Sequence, residues 1–336
     1  MSLGRRVLLN SGHKIPQLGY GTWQSSPGEV ALGVFEALKV GYRHLDLAKV
    51  YGNQPEVAQG LKRAFQEIPG LRREDIFITS KLWNSQHDPE VVESALDDCL
   101  EELGLEYLDL YLVHFPISFK RSSVHVGQDL FPLTGGNQPD GDVVIDDSIS
   151  IVDTWRAMTK LPQSKARAIG VSNHTVEHAI IDGTSVVPAV NQIERHPLLR
   201  QDDLIAFCKE NNIHITAYSA FGNNMLNVPL LFSHPDIKSL AEKVSRERGE
   251  DVTPTQILLS WAQSGGHSVI PKSVSPARIA SNFEEIDLSP DDLRVVDGVG
   301  KEQRRFNIPY IANKPRWDIN LFGDEAEAPA THKVII

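Results

Sequence analysis

Eight short runs rich in β-branched and aromatic residues recur along this chain, each followed by a stretch with apolar residues at three- and four-residue spacing. That alternation restricts the fold more than any other feature. The runs are QLGYGTW near residue 20, HLDLA near 46, IFITSKL near 79, LDLYLVH near 111, ARAIGVS near 169, AVNQIE near 191, HITAYS near 216 and HSVIPKS near 270. Helical patterns such as EVALGVFEALKV, DPEVVESALDDCLEELG, QDDLIAFCKENN and SLAEKVSRERG lie between them. Only the leading segment RVLLNSGHKIP reads as a hairpin, so the eight runs are expected to pair in parallel beneath crossover helices. The prediction is an α/β fold: a (β/α)8 TIM barrel with an N-terminal β-hairpin and long loops at its C-terminal face. A doubly wound sheet is the rival, but its nearest dinucleotide fingerprint, Gly19-Tyr20-Gly21, lacks the third glycine and runs on into Thr-Trp-Gln.

A chain of 336 residues that is 41% hydrophobic and 23% charged can bury a large core without disulfides, and residues 1–336 are expected to form one barrel domain. Residues 116–147, rich in Pro, Gly and Asp, and residues 299–336 exceed ordinary loop length. The first is expected to serve as a substrate lid, and the second to dock through Trp317 and Phe322 while its last stretch, GDEAEAPATHKVII, frays. A net charge of −11 excludes a nucleic-acid partner, because neutralising phosphates takes a basic surface. Cys99 and Cys208, the only cysteines, sit in separate helical stretches and point to buried thiols in a reducing compartment. The N-terminal apolar run is only VLL, and no segment approaches the ~20 apolar residues that cross a bilayer. A cytoplasmic protein with a small-molecule partner and no membrane is expected, monomeric, with a homodimer left open.

In a parallel barrel, chemistry gathers where the strands end at their C-terminal side. Asp46 lies in the second strand, Tyr51 just past it, Lys81 at the end of the third and His114 at the end of the fourth. Within HLDLAKVYGNQPE, residues 44–56, an acid, the base Lys49 and a phenol crowd one strand end. An isolated acid there is ordinarily a helix cap and an isolated histidine a core residue, but at successive strand ends they can converge. A phenol of pKa ~10 donates its proton poorly at neutral pH unless a cation stabilises the phenolate. Lys81 can do that, and a buried lysine stays charged only beside a carboxylate, which Asp46 supplies. His114 would orient a substrate oxygen. Farther along, PKSVSPARIASN, residues 271–282, places Lys272, Ser273 and Arg278 at a helix start after the eighth strand, where barrels bind phosphate.

These stretches resemble the aldo-keto reductase family over nearly the whole chain. GYRHLDLAKVYGNQPEV (41–57), LDLYLVHFP (108–116), AIGVSN (168–173), NQIERHP (191–197) and IPKSVSPARIASNF (270–283) follow its motifs in order. Within the family, QPEV, NQIERHPLL, GGHSVIPKS and the tail KPRWDINLFG are most similar to basidiomycete yeast NADPH-dependent aldehyde and carbonyl reductases. The resemblance implies that Asp46, Tyr51, Lys81 and His114 are the catalytic tetrad, with Tyr51 as general acid. It also implies NADPH or NADP+ as the cofactor. Ser172, Asn173 and Gln192 would hold the nicotinamide carboxamide, Tyr218 would stack on its ring, and Gly21, Thr22 and Trp23 would also contact the cofactor. Ser219, Phe221 and Gly222 would cross the pyrophosphate, while Lys272, Ser273, Val274, Arg278 and Asn282 would take the 2′-phosphate and adenine. Trp23, Trp83, Phe115 and Trp317 would line the substrate pocket. Three departures stand out. Ser219-Ala220-Phe221-Gly222 replaces the usual Ser-Pro-Leu-Gly, Ser281 replaces a common glutamate, and Phe115 replaces a common tryptophan.

The leading function is therefore NADPH-dependent reduction of aldehydes and ketones to alcohols. Alternatives are a sugar- or uronate-specific reductase or polyol dehydrogenase of the same family, a Schiff-base aldolase acting through Lys81, and a non-catalytic cofactor-binding regulatory subunit. A metal site from His44, His114 and His214 has no supporting spacing, and none is expected.

Overall fold

A tight hairpin opens the chain, β1 (Arg6–Leu8) pairing antiparallel with β2 (Lys14–Pro16). The computed structural model describes residues 2–121, 129–134, 141–175, 177–224 and 228–336. Eight strands then follow in chain order, each parallel to the last: β3 (Tyr20–Gly21), β4 (His44–Asp46), β5 (Phe77–Leu82), β6 (Leu110–Val113), β7 (Ile169–Ser172), β8 (Val190–Glu194), β9 (His214–Tyr218) and β10 (Ser268–Val269). Leu18 bridges Val269, and Gly19 N–H donates to the Val269 carbonyl at 2.9 Å, so the first and last strands meet and the sheet closes. At this seam a Cβ on Gly21 would lie 3.0 Å from the Ile270 carbonyl oxygen, and glycine permits the approach.

The strands read as continuous apolar runs because helices cover the outside while side chains fill the inside; every residue of β4, β5, β6 and β8 is buried. The covering helices are α1 (Glu29–Val40), α2 (Gln54–Glu67), α3 (Val92–Leu103), α4 (Ile151–Met158), α5 (Glu177–Thr184), α6 (Asp202–Glu210), α7 (Pro235–Arg248), α8 (Pro254–Gln263), α9 (Pro276–Phe283) and α10 (Pro290–Val299). Local chemistry starts them. α8 begins with Pro254 behind a Thr253/Gln256 capping box, and Ser150 caps α4 by accepting from the Asp153 amide. α7 lies in the connection from β9 to α8 and is tied to α10 by a Lys243–Asp292 ion pair at 2.6 Å. Among the described residues, no helix is long and apolar enough to cross a membrane.

The hairpin seals the N-terminal end of the barrel, where Leu9 and Ile15 join Phe77, Leu110 and Val190 in one apolar cluster. That leaves the C-terminal end as the open mouth, and the described parts of both long loops settle on it. The lid expectation for 116–147 falls partly outside the described residues, but the described parts are packed. Phe119 and Val143 are buried, and Val143 N–H donates to the Arg316 carbonyl at 3.0 Å. The terminal stretch expected to fray is instead bound. Buried Glu327 accepts from the amides of Leu321, Phe322 and Asp324, Ile319 pairs with His332, and Ile151 N–H donates to the Ile335 carbonyl. Periodicity missed this because single hydrogen bonds, local at Glu327 and long-range from Ile151 to Ile335, leave no apolar repeat.

Candidate active site

Strand register brings Asp46, at the last position of β4, level with Thr79 of β5, and Lys81 lies two residues farther toward the mouth. The Lys81 ammonium is fully buried, 2.6 Å from Asp46 Oδ1 and 2.7 Å from the Leu47 carbonyl. The other Asp46 oxygen accepts from Gln192 Nε2 at 2.7 Å. A 3-10 turn, Lys49–Tyr51, follows β4 and returns the Tyr51 hydroxyl to 3.4 Å from Lys81 Nζ. His114 stands just beyond β6, edge-on to Tyr51 with ring centres 6.0 Å apart. All four residues of the expected tetrad meet at one rim.

The electrostatics depart from expectation at Tyr51. A lysine-acidified phenol was the expected arrangement, yet burial, with help from Asp46 and Tyr218, holds the Tyr51 pKa well above 10. Lys81 is itself pulled below 10.5 by burial, against Asp46. Its charge is shared with that carboxylate and a carbonyl, so desolvation prevails at the phenol. Burial, Lys81 and His87 hold His114 well below 6.5, as a neutral imidazole. His44 contacts the Pro16 carbonyl and His214 the Ser268 hydroxyl, so neither joins His114.

A cavity of about 650 Å³ opens above these residues. Asp46, Tyr51 and His114 form part of its lining, with Trp83, Phe115 and Trp317 along one side and Trp23 at the rim. Trp317 meets Phe115 at 4.9 Å and Trp83 at 5.6 Å, both edge-on, and His114 stacks on Phe115 at 5.1 Å. Trp83 Nε1 donates to the Leu130 carbonyl at 2.6 Å, fastening the described part of the first long loop to the pocket. Trp23 is 37% exposed and stands apart from the buried cluster.

The expected cofactor residues divide into two groups. Gly21, Thr22, Trp23, Ser172, Asn173, Gln192, Tyr218, Ser219, Phe221, Gly222 and Lys272 line the cavity. Ser172 donates to the Gln192 carbonyl at 2.8 Å, Asn173 Nδ2 to the His114 carbonyl at 2.9 Å, and the Tyr218 hydroxyl to Asn173 Oδ1 at 2.6 Å, giving one linked polar wall. Ser273, Val274, Arg278 and Asn282 lie outside the cavity lining, the first two just before α9 and the last two within it. Lys272 donates to the Gln24 carbonyl at 2.6 Å and Arg278 to Ser273 Oγ at 3.3 Å, and neither pairs with a carboxylate among the described residues. Burial lowers the Lys272 pKa, Glu29 opposes it and Arg278 adds to it.

Sequence reasoning missed Val50, Phe131 and Asn307 in the cavity wall. Asn307 Nδ2 donates to the Tyr218 hydroxyl at 2.8 Å. Its backbone amide and that of Phe306 donate to buried Glu194, each at 2.9 Å. The position of Val50, next to Tyr51, carried a usable signal, and Phe131 and Asn307 were signalled only by lying in the two long segments 116–147 and 299–336.

The model of the aldo/keto reductase family matches residues 17–301. The chain belongs to the aldo-keto reductase family. This aldo-keto reductase is 58% identical to the D/L-glyceraldehyde reductase of Hypocrea jecorina, over 100% of this chain and 99% of that one. It is 42% identical to the NADPH-dependent D-xylose reductase of Meyerozyma guilliermondii, over 92% of this chain and 98% of that one. The solved aldose reductase from Schistosoma japonicum matches with a TM-score of 0.79 at 35% identity, covering 90% of this chain and 95% of that one. The aldo-keto reductase described here is an oxidoreductase that reduces carbonyl groups.

Proposed function

We propose that this enzyme reduces small aldehydes, α-hydroxyaldehydes of the glyceraldehyde type among them, with NADPH as reductant and Tyr51 as proton donor. The observation that carries the reading is the Tyr51 hydroxyl at the cavity wall, 3.4 Å from an ammonium that is sealed beneath it against Asp46. The relationship to the glyceraldehyde reductase supports the substrate class. NADPH suits the residues present: the side chains of Asn173 and Gln192, both on the cavity wall, can contribute polar contacts to a carboxamide, and Lys272 and Arg278, without carboxylate partners among the described residues, can take a 2′-phosphate. When bound, it supplies the hydride that the carbonyl carbon receives.

The chain's own residues handle the charge that develops on the carbonyl oxygen. A raised pKa keeps Tyr51 protonated across the neutral range, so the donor is loaded until the oxygen becomes basic enough to take the proton. Lys81 then faces the phenolate that remains, and Asp46 keeps Lys81 charged. His114, neutral, donates an N–H to the oxygen without adding charge. The aromatic wall presents an apolar flank to this exchange. Tyr51→Phe should lose about 10²–10⁴-fold in turnover of glyceraldehyde, while NADPH binding, read by fluorescence titration, stays within about twofold. Full turnover in that variant would overturn the assignment.

A further inference from the structure

The lysine nearest Tyr51 in sequence turns away from the cavity. Lys49 opens the turn that carries Tyr51, yet its side chain is only 5% exposed, and its ammonium contacts Asp98 at 2.5 Å and Glu102 at 2.7 Å. Those carboxylates are one turn apart on α3 and share a face. Burial opposes the charge on Lys49, but the two carboxylates outweigh it and raise the pKa above 10.5. The cluster reaches farther. Gln54 Nε2 donates to Glu102 Oε2 at 2.7 Å, and Ser80 Oγ donates to Gln54 Oε1 at 2.6 Å. Ser80 immediately precedes Lys81, and Gln54 lies three residues after Tyr51.

One half-buried polar cluster, with Lys49, Gln54 and Ser80 buried and the two carboxylates partly exposed, thus holds both elements whose separation sets the Tyr51–Lys81 contact. Within the turn itself, backbone closure is slight. Tyr51 N–H donates to the Ala48 carbonyl and Gly52 N–H to the Lys49 carbonyl, both at 3.1 Å, with Gly52 at a left-handed φ of 66°. Asn53 Nδ2 steadies the far side by donating to the Thr22 carbonyl at 2.9 Å.

We infer that Lys49 is a positioning residue for the proton transfer: by clamping the Tyr51 turn to α3 it sets the phenol against Lys81. It acts through Tyr51 without touching the reacting atoms, and the inference rests on Tyr51 being the proton donor. A displacement of about 1 Å at such a group can cost about 10²-fold in rate.

Lys49→Met keeps an unbranched stem as far as Cε and removes the charged ammonium. Its single-turnover rate of glyceraldehyde reduction should fall about 10- to 100-fold, while the aldehyde KM and the NADPH Kd stay within about twofold. Lys49→Arg should recover most of the rate, and a crystal structure of Lys49→Met should place the Tyr51 hydroxyl beyond hydrogen-bond reach of Lys81. In a Tyr51→Phe background, Lys49→Met should cause no further loss, because both changes act on one step. An unchanged rate in Lys49→Met, or the same fold loss in the Tyr51→Phe background, overturns the inference. If Lys49→Met does not fold, Glu102→Gln leaves the Asp98 contact and reads the same split, and an unchanged rate there is equally decisive. Full turnover in Tyr51→Phe alone would sink the proton-donor reading instead. A silent Lys49→Met beside an impaired Tyr51→Phe would sink only this one.

Discussion

Replacing Asp46 by asparagine would leave the Lys81 ammonium buried without its counter-charge, and the consequence can be sized from the geometry. Lys81 is fully buried and Asp46 is 2% exposed, so solvent screens neither. The single amide oxygen of asparagine can serve Lys81 or Gln192, whereas the carboxylate serves both. Breaking a buried pair from one side costs about 3–5 kcal/mol. At about 2.1 cal/mol/K of unfolding entropy per residue, 336 residues amount to roughly 0.7 kcal/mol/K, so Tm should fall by roughly 4–7 °C. The pH dependence has a definite sign. Burial already holds Lys81 below 10.5 with Asp46 opposing, and without Asp46 it must fall further. Between the folded and unfolded pKa values the unfolded chain binds the extra proton, so stability rises with pH in that window. The deficit of Asp46→Asn should therefore be large near neutrality and shrink as the pH climbs toward 10.5. Scanning calorimetry of both proteins near pH 7 and near pH 9.5 measures it. A Tm within about 1 °C of the parent near pH 7, or a deficit that widens with pH, would refute the buried-pair account.

Other perturbations test separate parts of the site. Arg278→Ala should weaken NADPH by about 1–3 kcal/mol and NADH much less, since only the former carries the 2′-phosphate; equal losses in fluorescence titration would remove that role. Glu194→Gln should destabilise the fold by about 1.5–3 kcal/mol and speed hydrogen exchange at the Phe306 and Asn307 amides. Burial raises the Glu194 pKa, but His196 and these two amides outweigh it and the net shift is downward, so the stabilisation is present above ordinary carboxylate pH and lost as the pH falls through the folded value. Chemical denaturation of parent and variant should converge in acid, and a gap that persists there would count against it. With His114 held well below 6.5, kcat/KM for aldehyde reduction should show no His114 titration between pH 6 and 8, and a histidine-like inflection there that vanishes in His114→Asn would contradict the neutral imidazole.

Much of the site is legible in the amino-acid sequence. A sheet buried on both faces writes itself as apolar runs, and a parallel barrel puts every C-terminal strand end on one rim, so Asp46, Lys81 and His114 could be grouped from their places at the ends of successive runs. What could not be read is which way each side chain turns and what surrounds it. Of two lysines, Lys49 lies two residues from Tyr51 and Lys81 lies thirty away, yet Lys81 meets the phenol while Lys49 is drawn to α3. The upward pKa of Tyr51, the reach of Asn307 to Tyr218 and the bond from the Ile151 amide to the Ile335 carbonyl in the tail share that character. Hydrophobic periodicity records which face of an element is buried, a local property; desolvation and hydrogen bonding depend on groups far apart in the chain, and those meet only once the barrel has closed.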